Sequence, residues 1–447
     1  MPTLLEKFRR WRHPPSPLPA HSHAASRWLV WAKALFLTVT ICGAYFWYIS
    51  ARIIREPVEL DYGPGDSLFT DSMGPLLGAE FTNGNRVRLL ANGDAFFPAM
   101  LEAIAGAKQS ITFESYIWSS GKISDRFIDA LVERARHGVK VHVLVDGFGS
   151  IRFADSDQRR LLEGGVKFVM YGREHWYQVK ADINHHTHRK LLIVDGRIGF
   201  IGGMCVDDTW LGDGRTKGQW RETQLRVEGP VVRQMQAVFI GNWLKTTARL
   251  LTGPEYFPAT GSQFGGVPAQ CYKSGPNDSP ENVRHSYLLA IASAQKTIRL
   301  SNAYFVPDDL SLQMLVAARR RGVQVQVVVP AHNDSRFGRA AARSRWGLLL
   351  EAGVEIYQYE PAMYHCKLMQ VDDYFLTIGS ANFDNRSFGI NDEVNINVLD
   401  RELAGEGLRL FEADVASSTR LTLAEFNARP WWQKIVDHFC GMFRSLL

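Results

Sequence analysis

Hydrophobic and polar positions along this chain follow two periods, and the order in which they do so occurs twice. Phe97–Ala107 and His285–Ala294 carry apolar residues at helical spacing, and an alternating run that reads as a strand follows each. A second amphipathic stretch comes next, Ile123–Arg136 in one copy and Leu310–Arg321 in the other. Gly138 and Gly322 close these helices at the C′ position, and the β-branched runs Val139–Val145 and Val323–Val329 follow. The letters repeat as well: Arg136-His-Gly-Val-Lys-Val-His-Val143 resembles Arg320-Arg-Gly-Val-Gln-Val-Gln-Val327, and Leu161-Leu-Glu-Gly-Gly-Val166 resembles Leu349-Leu-Glu-Ala-Gly-Val354. Strands alternating with helices predict an α/β fold with largely parallel sheets. The duplication predicts two α-β-α domains, 85–250 and 266–424, packed about a pseudo-twofold axis so that equivalent residues meet at one interface. Between them, 251–265 accumulates Gly, Pro and Thr and reads as a connecting loop.

One segment has neither period. Trp28 to Ile49 is apolar on every face of a helix, with Lys33 as its single charge, and 22 residues span about 33 Å, enough to cross a bilayer core. Trp28, Trp31, Tyr45, Trp47 and Tyr48 gather toward its ends, as interfacial aromatics do. The run exceeds a signal-peptide core and no A-x-A site follows, so the expectation is one transmembrane helix (28–50) after a cytoplasmic tail (1–27). Lys7, Arg9, Arg10, Arg12 and Arg27 precede it, whereas Arg52 and Arg55 are soon matched by Glu56, Glu59 and Asp61. The positive-inside rule then puts the amino terminus in the cytoplasm and the bulk of the chain on the outer face of the inner membrane. Residues 51–84, acidic and punctuated by Gly and Pro, read as a juxtamembrane linker. At the other end, 425–447 alternates aromatic or aliphatic residues with polar ones at helical spacing; it is too short to span, and reads as an amphipathic helix that lies in a membrane interface or docks on the protein.

Composition narrows the class. Of 447 residues 46% are apolar and 22% charged, which excludes wholesale disorder. Lys and Arg number 51 against 46 Asp and Glu, a net +5, which suits an anionic partner without choosing lipid or nucleic acid. Cys42, Cys205, Cys271, Cys366 and Cys440 are odd in number and widely spaced, with no metal-ligand spacing, so neither a disulfide scaffold nor a zinc ribbon is indicated.

The candidate chemistry also occurs twice. His188-Arg-Lys190-Leu-Leu-Ile-Val-Asp195 and His365-Cys-Lys367-Leu-Met-Gln-Val-Asp372 both read H-x-K-x4-D, and each runs on to a Gly pair or Gly-Ser at 202–203 or 379–380. On a strand, residues i and i+2 share a face, so each motif presents His and Lys together. One copy fits a buried histidine beside a snorkelling lysine; two copies with matched spacing point to a site if they converge. Lysine ammoniums cradle phosphoryl oxygens, a neutral imidazole can attack phosphorus, and a protonated one can deliver a proton to the leaving alcohol. That set describes double-displacement phosphodiester chemistry without a metal or other cofactor.

From about Asn85 to Trp432 the chain resembles the phospholipase D superfamily, and within it the bacterial cardiolipin synthases, on both H-x-K-x4-D motifs, Gly379-Ser380-Ala-Asn382 and Phe383-Asp-Asn-Arg-Ser-Phe388 to Glu393. The resemblance implies two phospholipase D-like domains, a catalytic set of His188, Lys190, Asp195, His365, Lys367 and Asp372, and phosphate binding by Lys190, Lys367, Ser380 and Asn382. It implies a histidine-orienting role for Glu393, 28 residues after His365, and for Glu222, 34 after His188. It puts the nucleophile at His188 and the acid/base at His365, although the symmetric motif also admits the reverse. Asp195 and Asp372 lie far enough along to brace the site rather than touch substrate. The first motif departs once: Cys205 stands where an Asn is usual, as a buried small residue or a redox thiol.

Phosphatidylglycerol and cardiolipin are the implied lipids, a membrane the implied partner, and transfer of a phosphatidyl group from one phosphatidylglycerol to another lipid the implied reaction. A phospholipase that passes the group to water is the nearest alternative. A nucleic-acid phosphodiesterase and a non-catalytic lipid-binding protein rank lower, given the near-balanced charge and two whole motifs. Three further features are weighed on residues alone: His185 and His186 as zinc ligands, Arg336, Arg339 and Arg343 as a headgroup-binding helix face, and Arg173–Tyr177 as the lining of a lipid channel.

Overall fold

A computed structural model describes residues 22–49, 56–172, 184–259 and 264–446. Lys7, Arg9, Arg10, Arg12, Arg52, Arg55 and the segment Arg173–Tyr177 lie outside the described residues, as does the side chain of Arg27. The chain divides into two units, 1–56 and 57–447. Among the described residues the first contains the helix Ser22–Ile49, whose described apolar side chains, among them Trp28, Trp31, Leu35 and Phe36, are exposed. Among the described residues no helix is long and apolar enough to cross a membrane.

In the second unit the duplication becomes visible as strand order. The first half supplies β1 (Thr82–Ala91), β2 (Ser110–Ser115), β3 (Lys140–Asp146), β4 (Lys167–Tyr171), β5 (Leu191–Val194), β6 (Ile198–Gly202), β7 (Trp220–Arg221) and β8 (Thr223–Glu228). The second half supplies β9 (Val267–Ser274), β10 (Thr297–Asn302), β11 (Gln324–Pro330), β12 (Glu355–Tyr359), β13 (Met363–Tyr364), β14 (Lys367–Val371), β15 (Phe375–Gly379), β16 (Glu393–Leu399) and β17 (Ser418–Leu421). Fifteen of these make one sheet among the described residues, in the order β17-β12-β11-β10-β14-β15-β16-β9-β1-β8-β6-β5-β2-β3-β4. Read outward from the β9–β1 seam, β9-β16-β15-β14-β10-β11-β12 matches β1-β8-β6-β5-β2-β3-β4 strand for strand. The seam pairs equivalent strands antiparallel, Thr82 with Ala269 and Asn85 with Val267, which is the relation a local twofold produces.

Helices cover both halves, and each half has its own core. Phe96, Phe113, Trp118 and Phe127 pack in the first, and Tyr287, Phe305, Trp346 and Phe383 in the second. A third cluster under the seam joins Ile201, Leu225, Phe239, Ile378 and Ile396 from the two halves.

Two expectations need correction. The sheet is mixed rather than largely parallel: β2-β3-β4 and β10-β11-β12 run parallel, while β5-β6 and β14-β15 are hairpins. The hairpins close through three-residue loops, 195–197 and 372–374, whose first two residues, Asp195-Gly196 and Asp372-Asp373, are all at positive φ (53° and 59°, 51° and 51°). No helix intervenes, so no parallel crossover forms.

Nor is 51–84 merely a linker. Ser67–Leu77 is a helix that Asp66 caps through Leu68 N (2.9 Å) and Gly78 ends at φ 66°. Phe69, Met73 and Leu77, at i, i+4 and i+8, are buried in the core of the second half. Gly74 and Pro75 lie within the helix and make the segment read as punctuation. Phe69→Ala is therefore expected to lower the unfolding free energy by roughly 3–5 kcal/mol, read from urea denaturation, whereas a solvated linker would tolerate it.

Candidate active site

Each histidine enters the site from the end of a short inter-half contact. Tyr364 of β13 pairs in parallel with Arg221 of β7, and His365 N donates to Arg221 O at 2.8 Å. The symmetric contact is a bridge between Thr187 and Asp392, where His188 N donates to Asp392 O at 2.9 Å. Parallel pairing sets the next residues of both chains side by side. His188 thus lies against Glu393 (Nδ1 to Oε1 2.9 Å, to Oε2 3.1 Å), and His365 against Glu222 (Nδ1 to Oε2 2.6 Å). The four residues converge, but crosswise: each imidazole takes the carboxylate that follows the other motif. Sequence position alone pairs Glu393 with His365 and Glu222 with His188, because only the folded seam reveals the exchange.

Each lysine stands two residues after its histidine, Lys190 just before β5 and Lys367 as the first residue of β14. Lys190 Nζ bonds to His188 O and sits 5.1 Å from the centre of the Tyr116 ring. Lys367 Nζ lies 2.7 Å from His365 O and 3.1 Å from both ring nitrogens of His365. A cavity of about 380 Å³ is lined by His188, Lys190, Cys205, His365 and Asn382. Asn382 is buried on this cavity; its Oδ1 has no protein partner and can accept from a donor, while a phosphoryl oxygen would be met by its Nδ2.

Other expected site residues are placed differently. Asp195 and Asp372 are not in this cavity. They stand just past the far ends of β5 and β14, five residues or roughly 16 Å of extended chain beyond the lysines. Asp195 accepts from Lys108 N, Gln109 N and Ser110 N at 2.7–2.9 Å, and Asp372 from Gln295 N, Lys296 N and Thr297 N at 2.7–2.8 Å. Each carboxylate pins the entry to β2 or β10 while its backbone makes the hairpin turn, so both belong to the scaffold rather than the catalytic set. Ser380, expected at the phosphate, lies behind Glu393: its hydroxyl donates to Glu393 Oε2 and accepts from Val394 N at 3.0 Å. It braces a carboxylate.

The equivalent position in the other half is Gly203, where a Cβ would stand 2.3 Å from Glu222 Oε2 and 2.9 Å from Lys367 Cδ. Glu222 accepts instead from Thr223 N at 2.9 Å. This is a built-in difference between otherwise matched halves. Cys205 is buried, in the place equivalent to Asn382, with its thiol pKa pushed up by burial, which disfavours a reactive thiolate.

Of the features weighed on residues alone, His185 lies 3.2 Å from Asp392 and His186 3.5 Å from Asp146 while stacking on Phe148. Arg343 is taken up by Asp437 at 2.7 Å, so the expected three-arginine headgroup face is incomplete. Sequence reasoning missed the walls: Trp210 and Trp220 against His365 (ring centres 5.3 and 4.8 Å), Tyr116 against His188 (5.0 Å), and Tyr304, Asp334 and Asn391 across the cavity. Trp220 and Asn391 stand two residues before the two glutamates, and that shared spacing was the available signal.

Protonation separates the halves further. Burial pushes His188 down to about 4, with the two ammoniums adding to it against the pull of Glu393. Burial would raise Glu393, but His188, Lys190 and the Ser380 hydroxyl hold it below the usual carboxylate range. Burial raises Glu222 to about 7 despite Lys367, and burial with Lys367 depresses His365 well below its ordinary value. One imidazole therefore backs onto an ionised carboxylate, while the other shares a proton with a carboxyl that keeps it near neutrality.

Two carboxylate-backed imidazoles, Lys190 and Asn382 line one cavity, with Lys367 beside His365, a set suited to phosphoryl-group transfer. The family described as "Cardiolipin synthase, PLD-like domain" matches residues 100–243 and 287–415. "Cardiolipin synthase 2" of Bacillus anthracis is 34% identical over 363 residues, 80% of this chain and 70% of that protein. "Major cardiolipin synthase ClsA" of Bacillus subtilis is 32% identical over 371 residues, 83% of this chain and 77% of that one. The crystal structure of phosphatidylserine synthase from Haemophilus influenzae shares the fold at 14% identity with a TM-score of 0.66, over 85% of this chain and 100% of that one. The chain belongs to the cardiolipin synthase family of phospholipase D-like proteins, and it is a phosphatidyltransferase.

Gly203→Ala is expected to push Glu222 off His365 and cut turnover about tenfold or more with the fold retained. Asp372→Ala is expected to cost roughly 2–3 kcal/mol of stability while the folded fraction keeps its turnover, which separates scaffold from chemistry. Denaturation curves read beside initial rates check both.

Proposed function

We propose that the chain makes cardiolipin from two phosphatidylglycerols, or from phosphatidylglycerol and another phospholipid, through a phosphohistidine at His188. The observation that carries this reading is the crosswise pair of imidazoles on one cavity with unlike protonation. His188 donates an Nδ1–H hydrogen bond to the ionised Glu393, which fixes the tautomer whose Nε2 lone pair attacks phosphorus. As the N–P bond forms and the P–O bond to glycerol breaks, His365 supplies a proton from Nε2 to the departing oxygen, and the proton held with Glu222 moves to Nδ1. The ammoniums of Lys190 and Lys367 and the Asn382 amide offset charge on the phosphoryl oxygens. In the second half-reaction His365 takes the proton of the incoming lipid's hydroxyl, its oxygen bonds to phosphorus, and the N–P bond breaks. The reverse assignment would require attack from the imidazole whose carboxyl partner is itself protonated, so the unequal pairs favour His188.

The helix Ser22–Ile49 is proposed as a membrane anchor, amino terminus in the cytoplasm and catalytic unit outside. The described part of this helix does not itself meet the length and apolarity of a span; the support is the sequence run Trp28–Ile49, uncharged but for Lys33, and the exposure of its described apolar side chains. An anchor keeps the site at a substrate confined to two dimensions.

Expressed in cells lacking cardiolipin, the wild-type chain is expected to restore it and His188→Ala to lose it by about a thousandfold or more, read by lipid mass spectrometry. Phosphatidic acid appearing in its place would mean that water is the acceptor. His188 must be neutral, so activity falls as pH drops toward about 4; the Glu222–His365 proton must be present, so it falls as pH rises past about 7. Glu222→Gln removes the carboxyl that retains this proton, and the alkaline limb is expected to move to lower pH.

A further inference from the structure

The carboxy-terminal helix Trp431–Gly441 is mounted inside out. It packs on the helix Arg336–Glu351 with its polar and small residues. Asp437 is 2% exposed and accepts from Arg343 at 2.7 Å and Arg429 at 2.5 Å. Cys440 packs on Ala340 and Ala341, and a Cβ at Gly441 would stand 2.5 Å from Ser344 Oγ. The apolar stripe is thereby turned to solvent: Trp431 is 74% exposed, Ile435 59% and Phe439 53%, with Trp432 and Val436 beside them. An amphipathic helix that docks on its own protein for hydrophobic gain does the opposite. Here two buried ion pairs hold the apolar side outward.

The patch runs to the mouth of the catalytic cavity. Phe443 meets exposed Phe337 (ring centres 6.3 Å), and the neighbours Ser335 and Gly338 line the cavity. Arg444 O accepts from Asn385 Nδ2 at 3.1 Å, one residue from the lining Arg386. Between Trp431 and Arg444 the only carboxylate is Asp437, already neutralised, so the outward charge is Lys434. Trp, Phe and Ile over a cationic remnant match an anionic bilayer surface.

We infer that the exposed face of Trp431–Phe443 inserts into the interface of an anionic phospholipid bilayer and holds the cavity mouth at the headgroups from which it draws lipid. This rests on the phospholipid reading above, which supplies the reason for a mouth at the bilayer. A second copy of the chain is the competing occupant.

The test uses the full chain carrying Cys42→Ser and Ile435→Cys, labelled with an environment-sensitive dye; the remaining cysteines are buried. In vesicles of phosphatidylglycerol and phosphatidylethanolamine, acyl-chain bromination is expected to quench the dye. Unquenched emission, or self-quenching between labelled copies without bromine, overturns the inference. In a second arm, Trp432→Glu with Phe439→Glu is expected to lower turnover of vesicle phosphatidylglycerol about tenfold or more and to leave turnover of monomerically dispersed short-chain phosphatidylglycerol unchanged. Equal loss on both substrates, or loss on neither, overturns it. A wild-type chain inactive on both forms would instead sink the catalytic reading, while the quenching arm would still report on the surface.

Discussion

Everything chemical in this molecule depends on two backbone contacts between its halves. Where Thr187 meets Asp392 and Tyr364 meets Arg221, chains from opposite halves run parallel for a residue or two, and the next residue on each side is a histidine or a glutamate. The geometry is a consequence of the seam. Once β1 and β9 pair antiparallel, both loops reach the same axis from opposite sides, and each motif finds the other's carboxylate. Neither half can assemble an oriented imidazole alone, so catalysis is a property of the interface. Buried groups reinforce it, with Arg221 held by Asp414 at 2.9 Å and Arg189 lying over the chain near Glu393. Unpaired, either guanidinium would be costly in that interior.

Symmetry brings the groups together, and its small failures give them different work. Ser380 is matched by Gly203, and Asn382 by Cys205. The hydroxyl that steadies Glu393 has no counterpart at Glu222, where Lys367 and the carboxylate fill the space a Cβ would need. A strictly symmetric site would hold two equal imidazoles and no preferred direction of proton transfer. One missing side chain, with burial pushing Glu222 up to about 7, separates a pair that carries a proton from a pair that does not.

The same economy appears in the motif's last residue. Asp195 and Asp372 recur because the hairpin after the catalytic strand needs a residue that tolerates positive φ and a carboxylate that collects three amides. Their recurrence beside His and Lys reflects one strand with two functional ends. The C-terminal helix is a related lesson: its composition marks it as amphipathic, but which face docks is settled by Arg343 and Arg429, remote in the chain.

Periodicity and matched spacing are local properties of the chain, and they sufficed for the duplication, the alternation of helix and strand, and the paired His-x-Lys motifs. His188, Lys190, His365 and Lys367 were legible that way, since they recur at one spacing, whereas Asn382, Glu222 and Glu393 entered only through the family resemblance. Tertiary structure alone decided which glutamate serves which histidine, that Ser380 braces rather than binds, that Phe69, Met73 and Leu77 belong to the core of the second half, and that Trp431–Gly441 faces outward. Those outcomes depend on which surfaces meet across a seam of residues nearly two hundred positions apart, and spacing along one strand carries no information about the orientation of another.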